Sequence, residues 1–258
     1  MCCHKVLCPN AWPLVPNAWP LVPNASPLAP CPDNGTIKCE INTGGDCVAL
    51  RAIARSTDTD SSADKLFIGL HGWGANAEDL AALSDYLSLP GYHMIFPDGP
   101  FAHPAAPGGR MWYSFPLGYD FQMSHSFEQQ ADLQESRQKL RDWLTQITQE
   151  MAIPLEQVIL AGFSQGGAMA MDVGLQLPLA GVLILSGYLH SPPMPHPELG
   201  PVLMVHGRQD PVVPIQSAQQ ARDALAHQKV NLTYQEYDMG HEISPLVMQQ
   251  INTFCDQL

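Results

Sequence analysis

Apolar residues follow two patterns along most of the chain: short continuous runs, and stripes at helical spacing. The runs favour buried strands, because a strand that is covered on both faces needs no polar side. The stripes favour helices that bury one face. The runs predict strands at residues 65–70, 92–96, 181–186, 201–206 and 232–237, and another that begins at residue 158. The stripes, with helix-favouring composition, predict helices at residues 77–87, 127–151, 214–228 and 244–258, and another that follows residue 164.

Strands that alternate with helices predict a mostly parallel central sheet with helices on both faces. The first strands depart from this order. Residues 36–41 and 47–54 alternate loosely on either side of a Gly-Gly turn, which predicts a hairpin. The predicted fold class is therefore α/β, and ligands are expected at the carboxyl ends of the strands.

The beginning of the chain has a different pattern. Residues 9–29 contain three copies of a seven-residue unit, and each copy has two prolines. Two prolines per unit exclude a helix, and three copies are too short to build a repeat core. We predict a disordered, Pro-rich heptapeptide-repeat tail at residues 1–34 and one folded domain at residues 35–258.

Charge and composition narrow the classes of function. The formal net charge is −13, which argues against nucleic acid as a partner. No run of about 18 apolar residues is present, so we expect no integral membrane association. The start of the chain lacks a basic region followed by an apolar stretch. These properties predict a soluble, cytoplasmic protein.

A Gly-Phe-Ser-Gln-Gly motif at residues 162–166 joins the strand that begins at 158 to Ala- and Met-rich, helix-favouring sequence. A strand that turns sharply into a helix brings together the residues two before and two after the serine, so both must be small. Gly162 and Gly166 meet that requirement. The motif could arise by chance in a Gly-rich turn, but its context favours a nucleophile elbow that presents the Ser164 hydroxyl beside the positive end of the helix.

A serine nucleophile needs a base, usually a histidine that a carboxylate orients. In this architecture the chain order is serine, acid, histidine. Asp210 follows the strand at 201–206 and His241 follows the strand at 232–237, so both are expected at the edge where Ser164 emerges. Singly, Asp210 suits a turn before proline and His241 an exposed loop, but their joint placement favours a catalytic triad. Weaker candidates, within a predicted helix or too near the histidine in sequence, are His227, Asp223 and Asp238.

Attack on a carbonyl creates an oxyanion that needs preorganised donors. We predict that the backbone N–H groups of Gln165, directly after the nucleophile, and of Trp73 supply them. Trp73 lies in the Gly-rich turn after the strand at 65–70. The same turn would also suit a simple helix start.

The connection between residues 101 and 126 is long, irregular and rich in aromatic residues. Irregular segments of this length usually line a binding site in a compact domain. The alternative is a surface loop whose aromatic side chains fill the core. We favour the pocket wall and predict substrate-binding roles for Trp112 and Tyr113, together with Phe163 from the elbow.

Four motifs carry a family resemblance: Leu-His-Gly-Trp-Gly at 70–74, Gly-Phe-Ser-Gln-Gly-Gly at 162–167, His-Gly-Arg-Gln-Asp-Pro-Val-Val-Pro at 206–214, and Gly-His at 240–241. Together they resemble the α/β-hydrolase superfamily. More narrowly they are similar to its phospholipase/carboxylesterase group, which includes acyl-protein thioesterases and small bacterial esterases. The likeness runs from about residue 47 to the end of the chain.

The resemblance implies an α/β-hydrolase catalytic domain with a triad of Ser164, Asp210 and His241, and oxyanion amides on Trp73 and Gln165. It also implies that no metal and no cofactor is needed and that the lid is small or missing. The short links between the predicted elements leave no room for a cap domain, which agrees.

We predict a serine carboxylesterase that hydrolyses short- to medium-chain esters through an acyl-enzyme. Its partner is a small-molecule ester or thioester, and it acts as a monomer or homodimer. Acyl-protein thioesterases usually have Leu and Asp where this chain has Trp73 and Ala75, and Trp-Phe-Asp where it has Trp-Tyr-Ser at 112–114. These differences favour small esters. An acyl-protein thioesterase or lysophospholipase is the alternative, and a catalytically silent binding protein is the non-enzyme alternative. A serine peptidase would normally add a gating domain.

Overall fold

The computed structural model describes residues 50–56, 63–116, 119–121, 127 and 130–258. The predicted Pro-rich tail, its boundary at residue 34 and the first predicted hairpin strand lie outside these residues. Within the described ranges, nine strands run in chain order: β1 (Ala52–Ser56), β2 (Lys65–Leu70), β3 (Tyr92–Pro97), β4 (Phe101–Ala102), β5 (Arg110–Met111), β6 (Val158–Phe163), β7 (Gly181–Leu185), β8 (Val202–Gly207) and β9 (Leu232–Tyr237).

The same ranges contain five α-helices. They are α1 (Ala77–Ala81), α2 (Ala131–Met151), α3 (Gln165–Met169), α4 (Ile215–His227) and α5 (Pro245–Cys255). Short 3₁₀ segments follow α1 at Ala82–Tyr86 and precede β6 at Leu155–Gln157, and a π-helical turn at Ala170–Gly174 continues α3.

Seven of the strands form one sheet in the order β1-β3-β2-β6-β7-β8-β9. All of its neighbouring strands are parallel except β1, which runs antiparallel to β3. The predicted mostly parallel sheet is therefore confirmed. The predicted strand at residues 47–54 overlaps β1 only at residues 52–54, and its described partner is β3.

Burial explains why the apolar runs form the central strands. All the residues of β6, β7 and β8 are buried, as expected for strands that are covered on both faces. β9, at the end of the sheet, is mostly half-buried, and its sequence is correspondingly more polar. The long helix α2 buries one stripe against the core: Leu133, Leu140, Trp143, Leu144 and Ile147.

Several predicted boundaries move by a few residues. The predicted helix at 77–87 is divided into α1 and a 3₁₀ segment, and Asn76 caps α1 and forms a capping box with Asp79. Helix α2 begins at residue 131 rather than 127, and the long aromatic connection contains the small β4–β5 ribbon. The predicted absence of a cap domain stays a prediction. In the described ranges, no helix has the length and apolar character that crossing a bilayer requires.

Candidate active site

The turn between β6 and α3 has the geometry of a nucleophile elbow. Ser164 has φ 54° and ψ −116°, a backbone conformation that non-glycine residues rarely adopt. Such strain costs roughly 1–3 kcal/mol and persists only where the surroundings enforce it. A Cβ on Gly162 would lie 2.1 Å from the Gly166 carbonyl oxygen, and one on Gly166 would lie 2.2 Å from the Leu70 carbonyl oxygen. Gly162 is therefore required for the turn to close, and Gly166 for the turn to pack against the end of β2.

The structure brings the three predicted triad residues together at the carboxyl ends of β6, β8 and β9. The Nε2 atom of His241 lies 2.9 Å from the Ser164 hydroxyl oxygen. The Nδ1 atom of the same ring lies 2.7 Å from Oδ2 of Asp210. Because the carboxylate accepts the Nδ1–H, Nε2 carries the free lone pair and can accept the serine proton. The arrangement can activate a hydroxyl for attack on an acyl carbon.

The Asp210 carboxylate is fully enclosed by protein. Burial favours its neutral form, but the hydrogen bond and charge of His241 and the amides of Val212 and Val213 outweigh burial, so the pKa of Asp210 is lowered. Each of these amides donates to Oδ1 over 2.8 Å. The carboxylate is thus held charged and in one orientation.

His206 is a neighbour of Asp210 that the sequence analysis did not assign. Its Nε2–H donates to the Val213 carbonyl oxygen over 2.8 Å, and the same nitrogen lies 3.5 Å from Oδ2 of Asp210. Burial lowers the pKa of His206, so we read the contact as a neutral imidazole that packs against the carboxylate rather than an ion pair. Its place at the end of β8, four residues before the aspartate, was the available signal.

The two predicted oxyanion donors belong to two segments that meet at the nucleophile. Gln165 is the first residue of α3, where a helical N–H has no intrahelical acceptor. The turn that contains Trp73 passes close to the serine, since a Cβ on Gly72 would lie 3.4 Å from the Cβ of Ser164. Among the described residues, neither the Trp73 amide nor the Gln165 amide has a hydrogen-bond acceptor.

The Gln165 side chain has a role that the sequence analysis missed. It is fully buried, its Oε1 accepts the Trp112 N–H over 2.9 Å, and its Nε2 donates to the Tyr113 carbonyl oxygen over 2.7 Å. The Gln165 side chain therefore links the long aromatic connection to the elbow through two hydrogen bonds. A polar side chain between buried glycines was the signal that could have indicated it.

Trp112 and Tyr113 lie in the core with no exposed surface. The Trp112 indole N–H donates to the His71 carbonyl oxygen over 3.0 Å, and the Tyr113 hydroxyl bonds to other buried side chains. Complete burial argues against the pocket-wall interpretation for these two residues. It favours the alternative, in which aromatic side chains of the connection fill the core.

Phe163 is also buried, but it lies at the site. Its ring centroid is 4.7 Å from that of His241, so it packs against the imidazole. The exposed apolar surface nearby comes from Trp73, which is 46% exposed, and from Val212, which follows the aspartate and is 47% exposed. The Trp73 ring in turn contacts His103, with centroids 4.1 Å apart.

A second aspartate–histidine pair lies in the interior. Oδ2 of Asp172 is 2.7 Å from Nδ1 of His190, whose Nε2 is 2.7 Å from the Tyr113 hydroxyl. That hydroxyl also bonds to the Tyr188 hydroxyl. We call these four residues the buried cluster, and Ser164, His241 and Asp210 the edge cluster. The sequence analysis missed the buried cluster, whose signal was a lone acid in the apolar helix after the elbow.

No group of side chains suited to a metal ion occurs in the part of the chain that the structure describes. The prediction that no metal is needed therefore stays a prediction.

The chain matches one protein family and has relatives of similar sequence. The model of the phospholipase/carboxylesterase family matches residues 52–258. An acyl-protein thioesterase 1 of Neurospora crassa is 31% identical over 221 residues, which cover 80% of this chain and 89% of that protein. An acyl-protein thioesterase 1 of Saccharomyces cerevisiae is 30% identical over 170 residues, 59% of this chain and 73% of the relative.

Solved structures share the fold. Esterase PE8 is 26% identical with a TM-score of 0.69, over 76% of this chain and 93% of its own. SOBER1 of Arabidopsis thaliana is 24% identical with a TM-score of 0.63, over 75% of this chain and 98% of its own, and this likeness shows the fold alone. The sheet order, the elbow and the family match lead to one conclusion: the chain belongs to the phospholipase/carboxylesterase family of the α/β-hydrolase fold, and it is a hydrolase of ester or thioester bonds.

Proposed function

We propose that the protein is a serine carboxylesterase that hydrolyses short- to medium-chain carboxylic esters through an acyl-enzyme. The observation that carries the proposal is the hydrogen-bond chain from Ser164 through His241 to Asp210, whose two links measure 2.9 and 2.7 Å. These are the distances that a nucleophile, its base and an orienting group require. The strained backbone of the serine supports the same role.

In the first half of the reaction, His241 Nε2 takes the hydroxyl proton as the Ser164 oxygen attacks the ester carbonyl carbon. The tetrahedral intermediate collapses, the carbon–oxygen bond to the alcohol breaks, and the imidazolium returns its proton to the leaving alkoxide. In the second half, water gives its proton to His241 and attacks the acyl-enzyme. Collapse of that intermediate releases the acid and restores the serine hydroxyl.

Charge develops in two places, and the chain supplies groups for both. The Asp210 carboxylate stabilises the imidazolium, and its lowered pKa keeps it ionised for that purpose. The Trp73 and Gln165 amides stabilise the oxyanion, because neither is occupied by an acceptor in the described ranges. Losing one such donor typically costs about 3 kcal/mol of transition-state stabilisation.

Thioester hydrolysis is the second candidate, since both relatives described above are named acyl-protein thioesterase. Lysophospholipid hydrolysis stays an alternative within the same chemistry. Two half-exposed apolar residues favour an apolar substrate: Trp73, in the turn that passes close to the serine, and Val212, whose amide binds Asp210. We further propose that the protein acts in the cytoplasm as a monomer or homodimer and needs no cofactor.

One assay series tests these choices. We expect p-nitrophenyl esters of two to twelve carbons to be hydrolysed with a maximum kcat/KM at a short or medium chain. A matched thioester and a lysophospholipid run in parallel would identify the alternatives by a higher kcat/KM. A fluorophosphonate probe should label the wild type at Ser164. If the wild type shows neither turnover nor labelling, the catalytically silent binding protein is the better description.

A further inference from the structure

The imidazole of His71 links the loop after β2 to the loop after β3. The side chain is completely buried. Its Nε2 accepts the Gly99 N–H over 2.8 Å, so this nitrogen carries no proton. The proton is therefore on Nδ1, which donates to the Gly72 carbonyl oxygen over 2.7 Å. Both ring nitrogens are engaged with backbone, and neither is available to a substrate.

The acceptor of that second bond belongs to the peptide group that joins Gly72 to Trp73. A trans peptide is planar, and its C=O and N–H point in opposite directions. Fixing the direction of the Gly72 oxygen therefore fixes the direction of the Trp73 N–H. The Ala75 N–H also reaches the Gly72 oxygen, but over 3.3 Å. The shorter bond from the ring sets the plane.

Neighbouring side chains hold the His71 backbone and the loop that the ring contacts. The Trp112 indole donates to the His71 carbonyl oxygen over 3.0 Å. The Arg110 Nε donates to the Gly99 carbonyl oxygen over 2.9 Å, which steadies the loop that supplies the other ring contact. Burial lowers the pKa of His71 to about 4, so the ring is neutral, with one proton, at any pH near neutrality.

We propose that His71 is a positioning residue for catalysis: it holds the Gly72–Trp73 peptide so that the Trp73 N–H is preorganised as an oxyanion donor. The inference rests on the proposed function. An ordinary core histidine would also be buried and hydrogen-bonded. The difference is that one partner here is the carbonyl of the very peptide whose N–H is the proposed donor.

The experiment compares His71→Leu, His71→Asn and His71→Gln with the wild type. Leucine removes both ring contacts, asparagine retains a donor near the Gly72 oxygen, and glutamine reaches toward Gly99 but not Gly72. The readouts are kcat and KM for a p-nitrophenyl ester, the inhibition constant of a trifluoromethyl ketone, and the melting temperature. The ketone forms a hemiketal oxyanion on the serine, so its affinity reports on the donors.

We expect kcat for His71→Leu to fall about 100-fold, the lower end of the loss of one oxyanion donor, while KM changes less than about threefold. Affinity for the ketone should fall in proportion to kcat. The kcat of His71→Asn should be at least about tenfold higher than that of His71→Leu, whereas the kcat of His71→Gln should not be. His190→Asn is the matched control, a second buried histidine whose loss should lower the melting temperature and leave kcat within about threefold.

A lower melting temperature without a change in kcat or in ketone affinity would show that His71 is only structural. Equal kcat in the asparagine and glutamine variants would overturn the proposal even if the leucine variant does not fold. A wild type that neither turns over esters nor reacts with the fluorophosphonate probe would reject the proposed function instead, and the two failures are thus distinct.

Discussion

The edge cluster and the buried cluster have nearly the same hydrogen-bond geometry. In each, an aspartate oxygen lies 2.7 Å from Nδ1 of a histidine. In each, Nε2 of that histidine faces a hydroxyl, at 2.9 Å for Ser164 and 2.7 Å for Tyr113. Distances alone would assign the same chemistry to both.

Their surroundings differ in three ways. The side chain of His241 is 15% exposed, whereas that of His190 has no exposed surface. The hydroxyl of the edge cluster projects from a strained turn, while burial raises the pKa of Tyr113 well above its usual value. Asp172 is also paired with Arg137 over 2.6 Å, so its charge is already compensated. An aspartate–histidine–hydroxyl chain becomes a proposed catalytic site only where a substrate can reach the hydroxyl.

The largest effect that we expect comes from removing the hydroxyl of the edge cluster, which tests whether this cluster is the catalytic one. We expect Ser164→Ala to lower kcat by up to about a million-fold, because the proposed nucleophile is lost. The melting temperature should stay at or above that of the wild type, since alanine removes no core packing. Retention of ester hydrolysis by the purified variant would reject the proposed role of the serine.

Matched substitution of the two aspartates separates catalysis from stability. We expect Asp210→Asn to lower kcat about 10⁴-fold, because asparagine no longer holds His241 in the required tautomer. Asp172→Asn should instead destabilise the fold by about 3 kcal/mol, since it leaves Arg137 without its buried partner, and should change kcat only a few-fold. Urea unfolding and steady-state kinetics on both variants measure the two effects. A large loss of kcat in the Asp172 variant would contradict the contrast.

Removing the hydroxyl of the buried cluster is the counterpart of the serine variant. We expect Tyr113→Phe to lower the free energy of unfolding by about 1–3 kcal/mol, because His190 and Tyr188 each lose a hydrogen-bond partner inside the core. The kcat should stay within a few-fold of the wild type. Chemical denaturation and ester assays test this, and an activity loss that approaches that of Ser164→Ala would mean that the buried cluster takes part in the reaction.

The smallest effect that we expect concerns pH. Burial lowers the pKa values of His71, His190 and His206 below 6.5. Below pH 6.5 the unfolded chain therefore binds protons that the folded chain does not, and stability falls as the pH decreases through this window. Each such histidine contributes a slope of at most about 1.4 kcal/mol per pH unit. Urea midpoints between pH 7 and 4.5 should show a shallower decline for His190→Asn; an unchanged slope would contradict the assignment.

Much of the fold was predictable, because apolar runs and stripes reflect burial directly. The strands at 65–70 and 232–237 have the bounds that the sequence predicts. Helix ends were less predictable, since α1 yields to a 3₁₀ segment after five residues with no break in the pattern. The pairing of β1 with β3 joins residues about 40 positions apart, and no local signal carries such a contact.

The candidate site, like the fold, was predictable only in part. Ser164, Asp210 and His241 were predictable because each comes directly after a strand of a parallel sheet, so the topology itself brings them to one edge. Trp112 and Tyr113 were predicted in a pocket wall, and both are buried in the core. Aromatic residues in a long loop suit either location, so the sequence alone could not decide between them. The side-chain contacts of Gln165 and the buried cluster depend on how distant segments pack, which the sequence does not state.

The two hydrogen bonds of the Gln165 side chain attach the first part of the long connection to the elbow. That side chain is bound to the backbone of residues 112 and 113, whatever side chains those residues carry. An engineer who wants a different substrate range should therefore keep the backbone at residues 112 and 113, and should make changes after Ser114 that retain the buried Tyr119 and Phe127. A graft that begins two residues earlier would have to reproduce both of the backbone bonds to Gln165.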